Sequence, residues 1–356
     1  MGSADVVPGV SGGTMALIMG IYTRLINAIK SVDSVFFGHI LKLRIMPALQ
    51  HVHLMFLIPL LIGVALAIVF FTRIVPLPVL MHTNPEIIYG IFFGLISGSV
   101  WLLFRSLNSI NWKERLFVVV GIVIGFLIVT MVPTDTPEHP LFVFFAGSVA
   151  ITAMILPGIS GSFILLILRQ YDYILGQFAL LGGDRTLEAF LVLVPFGLGM
   201  ITGIMLFARL LSWLLNKFYL PTVCVLIGFM MGSLYIIWPF QDREFYLSER
   251  VELVSVTDDL VISLFSEPED ESLMEFRRLG EIVNPEDPAN QQKFEVITVK
   301  KKLIRSEPFL PSYSEAEKDE RLSTGSSAIW AGYFGILGGL LLVIGIGRIA
   351  DIKLKD

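Results

Sequence analysis

The chain has 356 residues, 54% of them hydrophobic and only 16% charged, with a mean hydropathy of +0.76. That is the composition of a polytopic membrane protein, and its single cysteine, Cys224, excludes an intrachain disulfide. The formal net charge of −5 averages two unlike parts: residues 239–326 carry 20 acids and 11 bases, the remainder 11 acids and 15 bases.

In chain order, residues 1–25 hold a helix-breaking phrase, Pro8-Gly9-Val10-Ser11-Gly12-Gly13-Thr14, and a short apolar helix. No cleavable signal peptide is expected, and because the chain opens on this phrase, a preceding half-helix is expected to be missing. Residues 26–53 mix Lys30, Lys42 and Arg44 with Phe36, Phe37, Ile40 and Leu41, which predicts an interfacial amphipathic segment. Uncharged runs of spanning length follow at 54–72, 87–104 and 116–132. Residues 141–175 are apolar but cut at Pro157-Gly158 into pieces too short to span, which predicts a re-entrant hairpin. Further spanning runs lie at 189–208, 222–238 and 328–347. The acidic stretch before the last run alternates like strands at Val251–Phe265 and Phe294–Ile304, so a small insert with β content is expected.

The phrase recurs 149 residues later as Pro157-Gly158-Ile159-Ser160-Gly161-Ser162-Phe163, and the match runs on to Tyr22/Tyr171. Pro59, Gly63 and Arg73 match Pro195, Gly199 and Arg209 at an offset of 136, and Gly90/Gly94 match Gly228/Gly232 at 138. Each half is therefore expected to be one hairpin plus three transmembrane helices. Three is odd, so the second half enters from the opposite side: an all-α inverted repeat with an extracytoplasmic insert. The expected divisions are 1–140, then 141–238 with 327–356, and the insert 239–326. Lys and Arg number twelve on the side of 24–53, 105–115, 209–217 and the C-terminus against three on the other, which predicts a cytoplasmic C-terminus.

Pro-Gly followed by small residues breaks a helix and leaves N–H groups open at the start of the next. Such breaks are tolerated in a membrane only where protein or a cavity surrounds them, and a half-helix N-terminus suits an anion. The candidate anion-binding residues are Gly9, Ser11, Gly12, Gly13 and Thr14 in one copy and Gly158, Ser160, Gly161 and Ser162 in the other. Arg73 and Arg209, matched across the repeat, are the candidate phosphate-binding cations, with Arg24 and Arg169 behind them. Arg73 and Arg209 are equally readable as snorkelling side chains at helix ends. Asp5 either takes up a proton for coupling or caps the half-helix. Neither phrase carries the Lys of a nucleotide-binding loop, and the five histidines lack metal-ligand spacing, so no enzyme activity, metal or cofactor is expected. The glycine pairs four apart predict close helix contacts.

ADVVPGVSGGT at 4–14, AITAMILPGISGSFILLIL at 150–168 and GFMMGSLYIIWPF at 228–240 resemble the bacterial polyprenyl-phosphate (undecaprenyl phosphate) transporter family, PopT-like. The resemblance implies return of undecaprenyl phosphate, the cell-wall lipid carrier, from the outer to the cytoplasmic leaflet of the bacterial inner membrane. The implied partners are that lipid and the surrounding membrane lipids, with no nucleic acid; a homo-oligomer is left open. The acidic insert and Arg169, at a position where a small residue is expected, depart from the family pattern. Three rivals remain: a transporter or channel for a small soluble anion, a membrane assembly factor acting through the insert, and a lipid-modifying enzyme.

Overall fold

The computed structural model describes residues 1–5, 11–75, 77–107, 111–131, 136–183, 185–255, 258–266, 269, 275–283, 293–312, 321–323 and 325–353. It divides into two compact units, 1–240 with 310–356, and 241–309.

The larger unit is helical. α1 (Gly2–Asp5) precedes the first phrase, and α2 (Gly12–Ile18) and α3 (Tyr22–Lys30) follow it. α4 (Ser34–Leu41) and α5 (Ile45–His51) lead into α6 (Leu54–Val69), which runs on as a π-turn over Phe70–Ile74. α7 (Leu77–Thr83), α8 (Pro85–Ser106) and α9 (Trp112–Val129) complete the first half. The second half has α10 (Pro140–Ile155), α11 (Gly161–Ile167), α12 (Tyr171–Ala179), α13 (Thr186–Lys217) and α14 (Tyr219–Ile237). Among the described residues five helical segments are long and apolar enough to cross a membrane: Leu54–Ile74, Pro85–Ser106, Thr186–Lys217, Tyr219–Ile237 and Ser326–Gly345. They cover five of the six expected runs. The sixth run is the apolar part of α9, whose first turn carries Lys113, Glu114 and Arg115.

The smaller unit is an antiparallel sheet of β1 (Gln241–Ser255), β2 (Glu275–Val283) and β3 (Lys293–Pro308) in the order β1-β3-β2, with α15 (Asp259–Ser266) between the first two strands. Val261 and Leu264 of α15 pack on Phe294 and Val296. The expectation of one strand-like stretch over 251–265 is corrected: 251–255 ends β1 and 259–266 is helical. The Asp258 N–H donates to the Ser255 carbonyl, and 260–266 has the apolar spacing of a helix. β2 has no counterpart among the expected strands. α16 (Ser326–Lys353) returns the chain to the larger unit.

Small residues decide which helices pair. α8 packs along α16 and α9 along α14, while α10 packs on α13. A Cβ at Gly94 would overlap the Ile336 carbonyl, and one at Gly339 would overlap that of Ile91. The same holds for Gly121 against Val225 and Gly228 against Val118, and for Gly199 against Phe144. In lipid, where no hydrophobic force drives helices together, this closeness supplies the van der Waals contact that holds a pair. The central core is made by Tyr22 and Ile26 of α3, Ile96 of α8, Leu211 and Leu215 of α13, and Ile227 and Met230 of α14. By contrast, α6 buries no residue. At the start of α8, Glu86 is 3% exposed and accepts both the N–H and the hydroxyl of Ser323, at 2.8 and 2.6 Å.

Candidate functional site

Among the described residues each phrase opens a short helix, α2 in one copy and α11 in the other. Ser11 caps α2: its hydroxyl oxygen accepts the Gly13 N–H at 3.0 Å, and the hydroxyl donates to the Met154 carbonyl at 3.1 Å. One Asp5 carboxylate oxygen accepts the Gly12 N–H at 2.8 Å. Thr14 is fully buried, and its hydroxyl oxygen accepts the Gly158 N–H from the other phrase at 2.8 Å. Gly158 has φ +89°, and a Cβ there would meet Ser233 and Met230, so only glycine suits the position. The buried Tyr22 hydroxyl donates to the Ile155 carbonyl at 3.2 Å, a third tie from the first half to the chain around Pro157.

Ser160 precedes α11 but, unlike Ser11, makes no side-chain cap bond; its hydroxyl lies 2.8 Å from that of Ser162. A cavity of about 150 Å³ opens here, lined by Asp5, Ser11, Met154, Ile159, Ser160, Gly161 and Ser162. Its walls contain two pairs matched at the offset of 149, Ser11 with Ser160 and Asp5 with Met154. Among the described lining residues, Asp5 alone is ionisable, and three hydroxyls stand beside it.

The structure thus brings Ser11, Ser160, Gly161, Ser162 and Asp5 to one cavity, with Gly12, Gly13, Thr14 and Gly158 in the backbone framework behind it. Gly9 lies outside the described residues. Among the described residues the lining includes none of the four candidate arginines. Arg73 is exposed in the π-turn. Arg209 is half-buried and donates to the Met205 and Val32 carbonyls at 2.9 and 3.4 Å. Arg24 is exposed and sits 4.5 Å over the ring of Phe56, a cation–π contact at the first turn of α6.

Arg169 is exposed and has φ +48° just after α11. Its counterpart at the offset of 149 is Gly20, with φ +67° just after α2. The left-handed position explains why a small residue is expected there. The second piece of the 141–175 region is accordingly not one helix but two, α11 and α12, broken at this turn.

Met154 and Ile159 were not among the residues picked from sequence. Met154 was within reach, being the repeat partner of Asp5. Among the described residues no group of His, Cys, Asp and Glu could hold a metal ion.

Residues 1–253 match the protein family described as VCA0040-like, undecaprenyl phosphate translocase-like. The chain is 36% identical over 251 residues to a Vibrio cholerae protein named polyprenyl-phosphate transporter, covering 70% of this chain and 78% of that one. It is 32% identical over 251 residues to a Staphylococcus aureus protein of the same name, covering 67% and 83%. No solved structure matches it. With several apolar helices of spanning length and this match over most of its membrane portion, the chain is a multi-pass membrane protein and belongs to the undecaprenyl phosphate translocase-like family.

Proposed function

We propose that the protein carries a polyprenyl phosphate, undecaprenyl phosphate above all, from the outer to the cytoplasmic leaflet of a bacterial inner membrane, and does so as a transporter without chemical turnover. The observation that carries this is the cavity where Ser11 of one phrase and Ser160 of the other face the same space. Two relatives named polyprenyl-phosphate transporter support the substrate class.

The cavity, about 150 Å³, is well above what a single water needs. That is room for a phosphate head but not for an isoprenoid tail, which stays in lipid. One of the Ser160 and Ser162 hydroxyls donates to the other and leaves one proton for the head, with open N–H groups at the start of α11 behind them; the Ser11 hydroxyl joins them by turning from the Met154 carbonyl. Arg73 and Arg209 would then act away from the cavity, on the head as it enters or leaves.

The inverted repeat is part of this reading. α2 and α11 have seven residues each and α3 and α12 nine each, at the same offset. Exchanging the halves turns the α8–α16 pair into α14–α9, and α1–α6 into α10–α13. Both observations support two gates of one design, and the excess of Lys and Arg on the C-terminal side supports a cytoplasmic C-terminus with the insert outside. The family match stops at residue 253, before most of the smaller unit, which favours the membrane portion over the insert as the working part.

The test is a proteoliposome assay following labelled polyprenyl phosphate between leaflets, with inorganic phosphate uptake measured beside it. Lipid transfer without phosphate uptake supports the proposal. Uptake of phosphate alone makes the protein a soluble-anion transporter, and neither activity leaves the assembly-factor reading. Recovery of altered lipid would make it an enzyme.

A further inference from the structure

The turn between α4 and α5 breaks two rules at once. Arg44 donates its N–H to the His39 carbonyl and Leu43 to that of Ile40, both at 2.9 Å, which closes α4 as a Schellman turn. The left-handed residue of such a turn is usually glycine, but here it is Leu43, with φ +56°. Leu43 is also 84% exposed, as is Leu41, and Ile45 and Met46 beside them are 65% and 68% exposed. A strained backbone that holds bulky apolar side chains out of the protein implies something outside that receives them.

The position of the turn says what that is. Only Val52 and His53 separate α5 from α6, the most apolar of the spanning segments, so the hairpin stands where that helix enters the bilayer. Lys42 and Arg44 alternate with the apolar side chains and are exposed, and Arg24 over Phe56 adds a third cation at the start of α6. The base is rigid: Asp33 accepts the Val35 and Phe36 N–H groups and meets His51, Arg209 reaches Val32, and Lys30 reaches Ser212 on α13.

We propose that the α4–α5 turn, Ile40–Met46, is an anionic-lipid site: Leu41, Leu43, Ile45 and Met46 enter the acyl layer while Lys42 and Arg44 bind lipid phosphates at the head-group level. It is independent of the transport proposal and does not use the cavity residues.

The test uses the full chain in nanodiscs with Leu41→Cys carrying an environment-sensitive fluorophore; Cys224 is fully buried, so the new thiol is the labelled one. Discs of phosphatidylcholine are compared with discs containing increasing phosphatidylglycerol. The expected result is quenching by chain-brominated lipid and not by a water-soluble quencher, with a blue shift as phosphatidylglycerol rises. Adding Lys42→Gln and Arg44→Gln should raise the phosphatidylglycerol fraction at half-effect about fivefold per charge removed. Unreactive Cys224 in each variant confirms the fold. Access by the water-soluble quencher overturns the proposal. Shielding from both quenchers would instead mean a protein partner, and an unchanged lipid response in the Gln variants removes the phosphate contact.

Discussion

Thr14 and Gly158 lie in different copies of one phrase, and the hydroxyl of the first accepts the N–H of the second at 2.8 Å in a fully buried setting. The bond joins the two breaks directly, so the cavity beside them is held from both halves. Removing the hydroxyl leaves the Gly158 N–H buried without a partner, which costs about 1–3 kcal/mol. Thr14→Val should therefore lower the melting temperature in detergent and reduce lipid transfer, while Thr14→Ser keeps both. Equal stability of Val and Ser variants would show that the bond does not hold the site.

Gly63 and Gly199 are matched in sequence but not in surroundings. A Cβ at Gly199 would overlap the Phe144 carbonyl, whereas nothing lies within 4 Å of one at Gly63. Gly199→Ala is expected to push α10 off α13 and cost about 1–3 kcal/mol. Gly63→Ala lies in a helix interior with open space and should be neutral or stabilising by up to about 1 kcal/mol. Thermal unfolding of the two variants side by side checks the contrast.

Asp5 serves two roles that a pair of substitutions can separate. Its carboxylate holds the Gly12 N–H, and it is the ionisable wall of the cavity. Asp5→Asn retains an acceptor for Gly12 and should fold normally; Asp5→Ala should lose about 1 kcal/mol of stability as a lost cap. If Asp5 carries the proton for coupling, both variants lose the acceleration of transfer by an imposed pH gradient. Retention of that acceleration in Asp5→Asn would reduce Asp5 to a cap.

Asp33 makes the α4–α5 hairpin sensitive to acid. The Phe36 N–H bond is the largest influence on its carboxyl, outweighing partial burial, and the contacts with His51 and the Val35 N–H add to it; together they hold the carboxyl below its ordinary value of 3.8. A carboxyl lowered on folding contributes its full stabilisation above the unfolded value and loses it as pH falls through the lowered folded value. The hairpin should keep its cap through mildly acidic pH and lose it only below about 3.8. Asp33→Ala should abolish that acid transition in the fluorescence of a label at position 41.

Much of this arrangement was readable in the sequence because lipid imposes simple rules. Apolar run length located the spanning helices, and the repeated phrase located the breaks that line the cavity. The glycine pairs located the close helix contacts. The arginines were less readable. Arg209 satisfies its guanidinium on Met205 and Val32 carbonyls, and Arg24 stacks on Phe56, contacts that spacing along one helix cannot reveal. Strand β2 was hidden because Arg277 and Arg278 interrupt its alternation; each pairs instead with a carboxylate, Glu269 and Glu249, off its own strand. Arg169 has a left-handed φ and occupies the turn that Gly20 makes in the first half, a backbone feature that its residue type hides.

The central claim is that both copies of the phrase face one lipid phosphate. Photo-crosslinking with a polyprenyl phosphate that carries its reactive group beside the phosphate tests this most directly, with adducts mapped by peptide mass spectrometry. Adducts are expected on both 11–14 and 158–162, suppressed together by Ser11→Ala with Ser160→Ala. Adducts confined to the smaller unit, 241–309, or to one phrase alone, would contradict it.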